Sequence, residues 1–267
     1  MPAHAPGATS LTREWLEQEI GTVMETWETH HGNAGYWREP LLAVAAADDR
    51  LFPELRGAVA EDHAMPTDLL PEARSVVVFF IPFQKRLGTE NNEAGTFAAR
   101  SWAESYVTTN RLIDTITGRF KAALENRGHA VAVTPATHNF DPKRLISRWS
   151  HKHIGTIAGL GTFGHNNLLI TKAGCCGRLG SFVTSAPFPP TKRPGTEYCL
   201  KKDGRKCDAC VEKCTYGALH KTAYDRRTCY GQCLKNDALY GDLSSVEVCG
   251  KCACNVPCSY RIPPRPE

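Results

Sequence analysis

Two stretches decide how this chain is read: CLKKDGRKCDACVEKC at residues 199–214 and CGKCACNVPC at residues 249–258. Between them lie Cys229 and Cys233, so ten of the twelve cysteines fall between Cys199 and Cys258, and none precedes Cys175. The spacing is Cys199-x7-Cys207-x2-Cys210-x3-Cys214, then Cys249-x2-Cys252-x-Cys254-x3-Cys258. Three closely spaced cysteines can wrap three corners of a four-iron cube. The next one, after an x3 gap, points away and crosses to a second cube. A distant cysteine must then complete the first set.

On this pattern Cys199, Cys207, Cys210 and a cysteine from the second stretch, best Cys258, hold one [4Fe–4S] cluster. Cys214, Cys249, Cys252 and one of Cys229 or Cys233 hold the other, and Cys254 is spare. Zinc also suits Cys-x2-Cys pairs such as 207/210 and 249/252. It does not explain why Cys199, Cys214 and Cys258 fall where a crossing arrangement needs them. A disulfide framework belongs with export, and the opening MPAHAPGATS lacks the apolar stretch of a signal peptide. The longest apolar run, VVVFFIPF at 76–83, is too short to span a bilayer. These features predict a cytoplasmic protein with no membrane partner. Cys175 and Cys176 stand apart in the turn GCCG (174–177) and read as structural or free thiols.

Composition shifts near residue 190, where PFPPTKRPG (187–195) reads as a linker. Residues 1–190 hold 18 Lys and Arg against 19 Asp and Glu, whereas residues 191–267 hold 14 against 9. A basic segment can mean nucleic acid. Two anionic thiolate-bound clusters would offset most of this excess without one. The expected organisation is a domain over 1–190 and a small cysteine domain over 191–267.

Within the first part, Ser10 is a plausible N-cap for a helix presenting Leu11, Trp15, Ile20, Val23 and Trp27. SVVVFFIP (75–82) reads as a strand buried on both faces. A long helical pattern over 97–126 ends at Gly128, and a strand follows at 129–134. Asp141-Pro142 suggests a cap and first-turn proline for a helix running to Ile157. Short strands are expected near 168–171 and 181–184. This mixture is α+β, without the alternation of a doubly wound fold.

Gly159-Leu-Gly161-Thr-Phe-Gly164 matches G-x-G-x-x-G. A dinucleotide fingerprint needs a strand before it and a helix after it. Here a helical pattern precedes and a short strand follows, so NAD and FAD are rejected by this route. Either a flat, bulky cofactor approaches the bare backbone, or the glycines simply make a tight helix-to-strand turn. Polar residues cluster nearby: Trp149, Ser150, His151, Lys152, His153, His165, Asn166 and Asn167. His151 and His153 do not share a helix face, which argues against a metal between them.

Three motifs then carry a family resemblance. AGLGTFGHNNLLIT (158–171) is similar to the A-G-x-G-x-x-G-K-N-T-x-L-I loop of epoxyqueuosine reductases. LPEARSVVVF (70–79) resembles their L-x-P-G-A-x-S-V-I-V strand, and DRRTC (225–229) their D-x-R-R-C segment before an isolated ligand cysteine. The last match favours Cys229 over Cys233. The resemblance, shared with the related reductive dehalogenases, implies a nitroreductase-like, cobalamin-binding α/β domain followed by a ferredoxin-like domain with two [4Fe–4S] clusters. It implies an oxidoreductase in which electrons pass through the clusters to a corrinoid and then to a substrate. Gly159, Gly161, Gly164, His165, Asn166 and Asn167 would lie near the corrin, and an electron donor such as a ferredoxin or flavodoxin would serve as partner. Asp141, Tyr106 and His138 are the candidate acids.

The departures are specific. The loop lysine of the family is His165 here, and Leu145 occupies the place of its acidic proton donor. The chain stops where epoxyqueuosine reductases continue into a helical-repeat extension that helps hold tRNA, which argues against tRNA as the substrate. A small molecule or a partner's corrinoid is expected instead. The alternative is an electron-transfer protein that reduces a partner's corrinoid, or binds flavin, with no substrate of its own.

Overall fold

The computed structural model describes residues 11–32, 35–137 and 139–265. Helix α1 (Arg13–His31) begins the described chain. Its cap is Thr12, whose Oγ1 accepts from the Trp15 amide at 3.2 Å; Ser10 lies outside the described residues. Strand β1 (Leu41–Ala46), the short helices α2 (Leu55–Ala58) and α3 (Pro66–Leu69) and strand β2 (Ser75–Pro82) follow. Next come α4 (Lys85–Glu93), the long α5 (Arg100–Glu125) and β3 (Val131–Val133).

The sheet is four-stranded, in the order β1-β2-β8-β3, where β8 spans Gly177–Thr184, and every pairing is antiparallel. All eight residues of β2 are buried, as the uninterrupted apolar run predicts. The reason is that helices cover both faces. Val77, Phe79 and Ile81 point into one core with Leu16 and Ile20 of α1 and Leu112, Ile116 and Phe120 of α5. Val76, Val78 and Phe80, one residue out of phase, point into a second core around Trp149 and Ile154. Gly180 of β8 faces Phe79, and a Cβ there would meet the Phe79 ring at 2.4 Å.

Residues 141–157 differ from the helix expected of them. Phe140–Asp141 (β4) and Ile146–Ser147 (β5) form a small hairpin, and helix α6 covers only His151–Ile157. Asp141 Oδ1 accepts from the amides of Lys143 at 2.7 Å and Arg144 at 3.0 Å. Asp-Pro serves a turn as readily as a helix start, and Leu145, at φ 54°, breaks any helical path. Beyond α6, β6 (Gly161–Phe163) and β7 (Leu169–Thr171) pair as a second hairpin.

The proline-rich stretch at 187–195 is a fixed strap along the sheet. The Thr191 amide donates to Val44 O at 2.8 Å, and its hydroxyl accepts from the Val44 amide at 3.0 Å. That covers the free edge of β1. Phe188, buried, lies parallel to Trp15 with ring centroids 6.3 Å apart.

The cysteine segment adds α7 (Ala209–Glu212), α8 (Arg226–Leu239) and a 3₁₀ turn at Lys251–Ala253. It packs into the first core, where Cys199, Ala253 and Cys254 join Leu87, Trp102 and Ile170. Gly250, at φ 73°, lies so close to the Trp102 indole that a Cβ would sit 2.5 Å from it. Among the described residues no helix is long and apolar enough to cross a membrane.

Because Phe79 is fully buried against α5 and β8, Phe79→Ala should cost roughly 3–5 kcal/mol. Urea unfolding checks this: the midpoint should fall while the slope stays unchanged.

Candidate metal centres and the adjoining cavity

The cysteines gather into two sets. Cys199, Cys207, Cys210 and Cys258 line one small space, joined by His165 and Asn166. Cys214, Cys229, Cys233, Cys249 and Cys252 line a second. These are the two groups that the crossing pattern predicts, with Cys214 and Cys258 each in the set remote from their own stretch. Cys254 joins neither. It is buried in the core, where Asn91 Nδ2 approaches its Sγ at 3.3 Å.

The electrostatics describe donor sets that lack a positive partner. The Cys210 thiol is pushed up to about 12, first by burial and then by Cys258, Cys199 and Cys207. Burial, then Cys249, Cys229, Cys214 and Cys210, raise Cys252. Burial also lifts Cys249 to about 11. Thiols that share so little space cannot ionise together without a cation to offset them. Metal coordination reverses that situation, because a coordinating thiol is deprotonated outright. Among the described residues no three His, Cys, Asp or Glu side chains converge on a single metal ion. A four-iron cube instead takes one thiolate at each separate corner, and both spaces offer four or more cysteines.

Cys229 and Cys233 stand one turn apart on the same side of α8. A hydrogen bond from the Cys233 thiol lowers Cys229 to about 6, and Tyr224 and Lys152 act in the same sense. Both cysteines line the second space. Cys175 and Cys176 lie behind the first set. The Cys175 amide donates to Cys258 O at 3.0 Å, and the Cys176 thiol donates to Ala253 O at 3.0 Å. Both thiols are buried.

The second space does not end at its cysteines. It runs on to Tyr106, Lys152, Leu168 and Arg178. Lys152, Leu168 and Arg178 also line a cavity of about 310 Å³ against β8, with Trp149, His151 and Cys175. Lys152 Nζ donates to Asn167 O at 2.8 Å, and burial lowers its pKa. Arg178 donates to Asn110 Oδ1 at 3.1 Å, with its guanidinium carbon 4.2 Å from the Tyr106 ring centroid. Lys152 was legible only as one of several polar residues near the loop, and Arg178 was missed. An arginine opening an otherwise apolar strand is the signal that marks it.

The glycine loop serves the chain itself. A Cβ at Gly161 would strike Ile170 O at 2.1 Å, and one at Gly159 would meet Lys192 O at 2.9 Å. At Gly164 the obstacle is Asn166 Oδ1, at 2.3 Å. The glycines thus meet a structural need within the hairpin and strap, and none needs a cofactor to explain it. The residues after them do reach the site. Asn166 is buried, lines both cysteine spaces and donates to Cys252 O at 3.1 Å. Asn167 lines the second space, and His165 Nε2 donates to His220 O at 2.8 Å.

Of the candidate acids, Tyr106 lines the second space, and its hydroxyl lies 3.0 Å from Thr137 Oγ1. Asp141 is exposed on the turn of the β4–β5 hairpin, and the amides of Arg144 and Lys143 hold its carboxyl below the usual range. His138 lies outside the described residues.

Two histidines are held neutral. His151 Nε2 donates to Pro135 O at 2.9 Å, so its Nδ1 accepts from Ser181 Oγ at 2.8 Å. Burial lowers it to about 4. His153, beside Ser150 Oγ, is likewise lowered to about 4 by burial and by Lys152.

No protein-family model matches the chain. In fold it is similar to the reductive dehalogenases. The catabolic reductive dehalogenase NpRdhA superposes with a TM-score of 0.56 at 14% identity, over 83% of this chain and 30% of that one. A reductive dehalogenase whose structure suggests a mechanism for B12-dependent dehalogenation superposes with a TM-score of 0.50 at 14% identity, over 82% and 28%. In sequence the chain is 28% identical over 167 residues to the epoxyqueuosine reductase of Bacillus cereus, covering 60% of this chain and 39% of the relative. It thus spans about two fifths of that relative's length. In sequence the chain is thus similar to an epoxyqueuosine reductase over part of its length, and in fold to the reductive dehalogenases.

Since His151 and His153 stay neutral down to about pH 4 in the fold, against about 6.5 when unfolded, the unfolded chain binds more protons between those values. Stability is complete above about pH 6.5 and is lost as pH falls toward 4. Urea midpoints measured from pH 7 to pH 5 should fall, and His151→Gln should make the fall shallower.

Proposed function

We propose that this chain is an oxidoreductase that holds two [4Fe–4S] clusters and a corrinoid, and passes electrons through them to a substrate. The observation that carries this reading is the grouping of the cysteines, with one set opening into the cavity against β8. Cys199, Cys207, Cys210 and Cys258 would hold the first cluster; Cys214, Cys229, Cys249 and Cys252 would hold the second. Residues 1–190 would form a nitroreductase-like domain and residues 191–267 a ferredoxin-like domain, with the corrinoid where that cavity meets the second space, since about 310 Å³ is too little to enclose it. The B12-dependent relative and the sequence match to an epoxyqueuosine reductase support the corrinoid and the reductase activity.

Bound there, the clusters supply low-potential one-electron relays and the corrin supplies the reducing metal. The chain's own contribution is positioning and charge. Asn166 reaches from the glycine hairpin to Cys252 O and fixes the hairpin against the second set. Lys152 offsets negative charge beside Cys229 and Cys252. Tyr106, which lines the second space, is the remaining candidate for a proton source, and the Arg178 guanidinium lies over its ring. A small molecule, taken up beside Trp149 and Arg178, is the expected class of substrate.

Anaerobic reconstitution tests this reading. The chain should bind about eight iron and about eight sulfide. Cys210→Ser should retain about half, while Cys254→Ser keeps both clusters. Cobalamin should co-elute on gel filtration with its corrin absorbance intact. Zinc without iron would remove the cluster assignment, and cobalamin eluting free would remove the corrinoid.

A further inference from the structure

The loop that joins Cys199 to Cys207 lines the first cysteine space through Leu200 and Lys201. Its charge is lopsided. Asp208 answers both Lys201, at 2.5 Å, and Lys221, at 3.2 Å. Asp203 answers both Arg205, at 3.1 Å, and Arg265, at 3.5 Å. Lys202 and Lys206 are exposed, and neither has a carboxylate partner among the described residues. Lys202 Nζ rests 5.5 Å from the centroid of the Phe163 ring. Asp203 and Asp208 thus answer four of the six cations and leave Lys202 and Lys206 over, while Glu197, whose carbonyl accepts from Arg265 Nη2 at 3.2 Å, and Glu212 form no ion pair among the described residues.

The position of this face matters as much as its charge. The second cysteine set opens into the cavity, and the first lines neither part of it. Asn166 lines both spaces, and Cys210 packs in one cluster with Cys214, Cys252 and Cys258, so the two sets adjoin. If the cavity receives electrons from the second set, the first set is where they enter. Charge that served only to balance a buried anionic cluster would be turned inward, yet Lys202 and Lys206 are exposed.

We infer that this face, centred on Lys202 and Lys206, is the docking surface for an acidic one-electron carrier protein. The inference rests on the proposed function, since it needs the first cluster in place. Each productive encounter oxidises the carrier by one electron and reduces the first cluster by one. Complementary charge of this kind raises the encounter rate and makes it depend on salt.

The test uses the reconstituted chain and a reduced plant-type [2Fe–2S] ferredoxin as probe, with cluster reduction followed by stopped flow. The bimolecular rate should fall roughly 10-fold or more between low salt and about 0.3 M salt. The double variant Lys202→Glu/Lys206→Glu should lose about 10-fold at low salt, and Lys202→Arg/Lys206→Arg should not. Photoreduction by 5-deazariboflavin, which is small and uncharged, should be the same in all three, and iron content should match. Rates with ferredoxin that ignore both salt and charge reversal, while deazaflavin still reduces the clusters, would overturn this inference alone. If no clusters form in the unmodified chain, the proposed function fails and this inference with it. Loss of affinity for an RNA oligonucleotide in the reversed variant, with ferredoxin rates intact, would assign the face to nucleic acid and overturn it as well.

Discussion

Nine thiols held around two small adjoining spaces are the constraint on which the rest depends. Burial and neighbouring thiols raise Cys210, Cys249 and Cys252. A cationic cluster core would relieve all of them at once, since each thiolate then faces iron rather than its neighbour. The cysteine segment also has little else to hold it. Helix α7 is one turn long, and much of the surrounding chain is irregular. Its order comes from the spaces it encloses and from the core it leans on.

That core sets how the two spaces sit. Gly250 presses its backbone on Trp102, and Asn91 Nδ2 holds Cys249 O at 3.0 Å. Asn166 ties the glycine hairpin to Cys252. The sheet beneath is rigid because both faces of β2 are covered by helices and the edge of β1 by the strap at 187–195. A relay of cofactors needs its members held at fixed separations. A cysteine segment tethered only by a flexible linker would not supply it. Cys254 and Cys176 contribute to this seating through Asn91 and Ala253 O.

Legibility in the sequence followed how local each feature is. The gathering of the cysteines into two sets could be read from spacing, because Cys207, Cys210 and Cys214 follow one another at x2 and x3 intervals. Strand β2 could be read because burial on both faces leaves an unbroken apolar run. Asp141-Pro142 was ambiguous between helix start and turn, and the hairpin it opens depends on Leu145 taking a left-handed conformation. The G-x-G-x-x-G stretch had two readings, and contacts from Ile170 and Lys192 account for its glycines. Arg178 and Lys152 meet at the cavity from β8 and α6, and no spacing rule links them.

Anomalous scattering at the iron edge from an anaerobically grown crystal tests the central claim most directly. The account predicts two four-iron peaks, one inside Cys199, Cys207, Cys210 and Cys258 and the other inside Cys214, Cys229, Cys249 and Cys252. Single zinc ions at the 207/210 and 249/252 pairs, or an iron site ligated by Cys254, would contradict it.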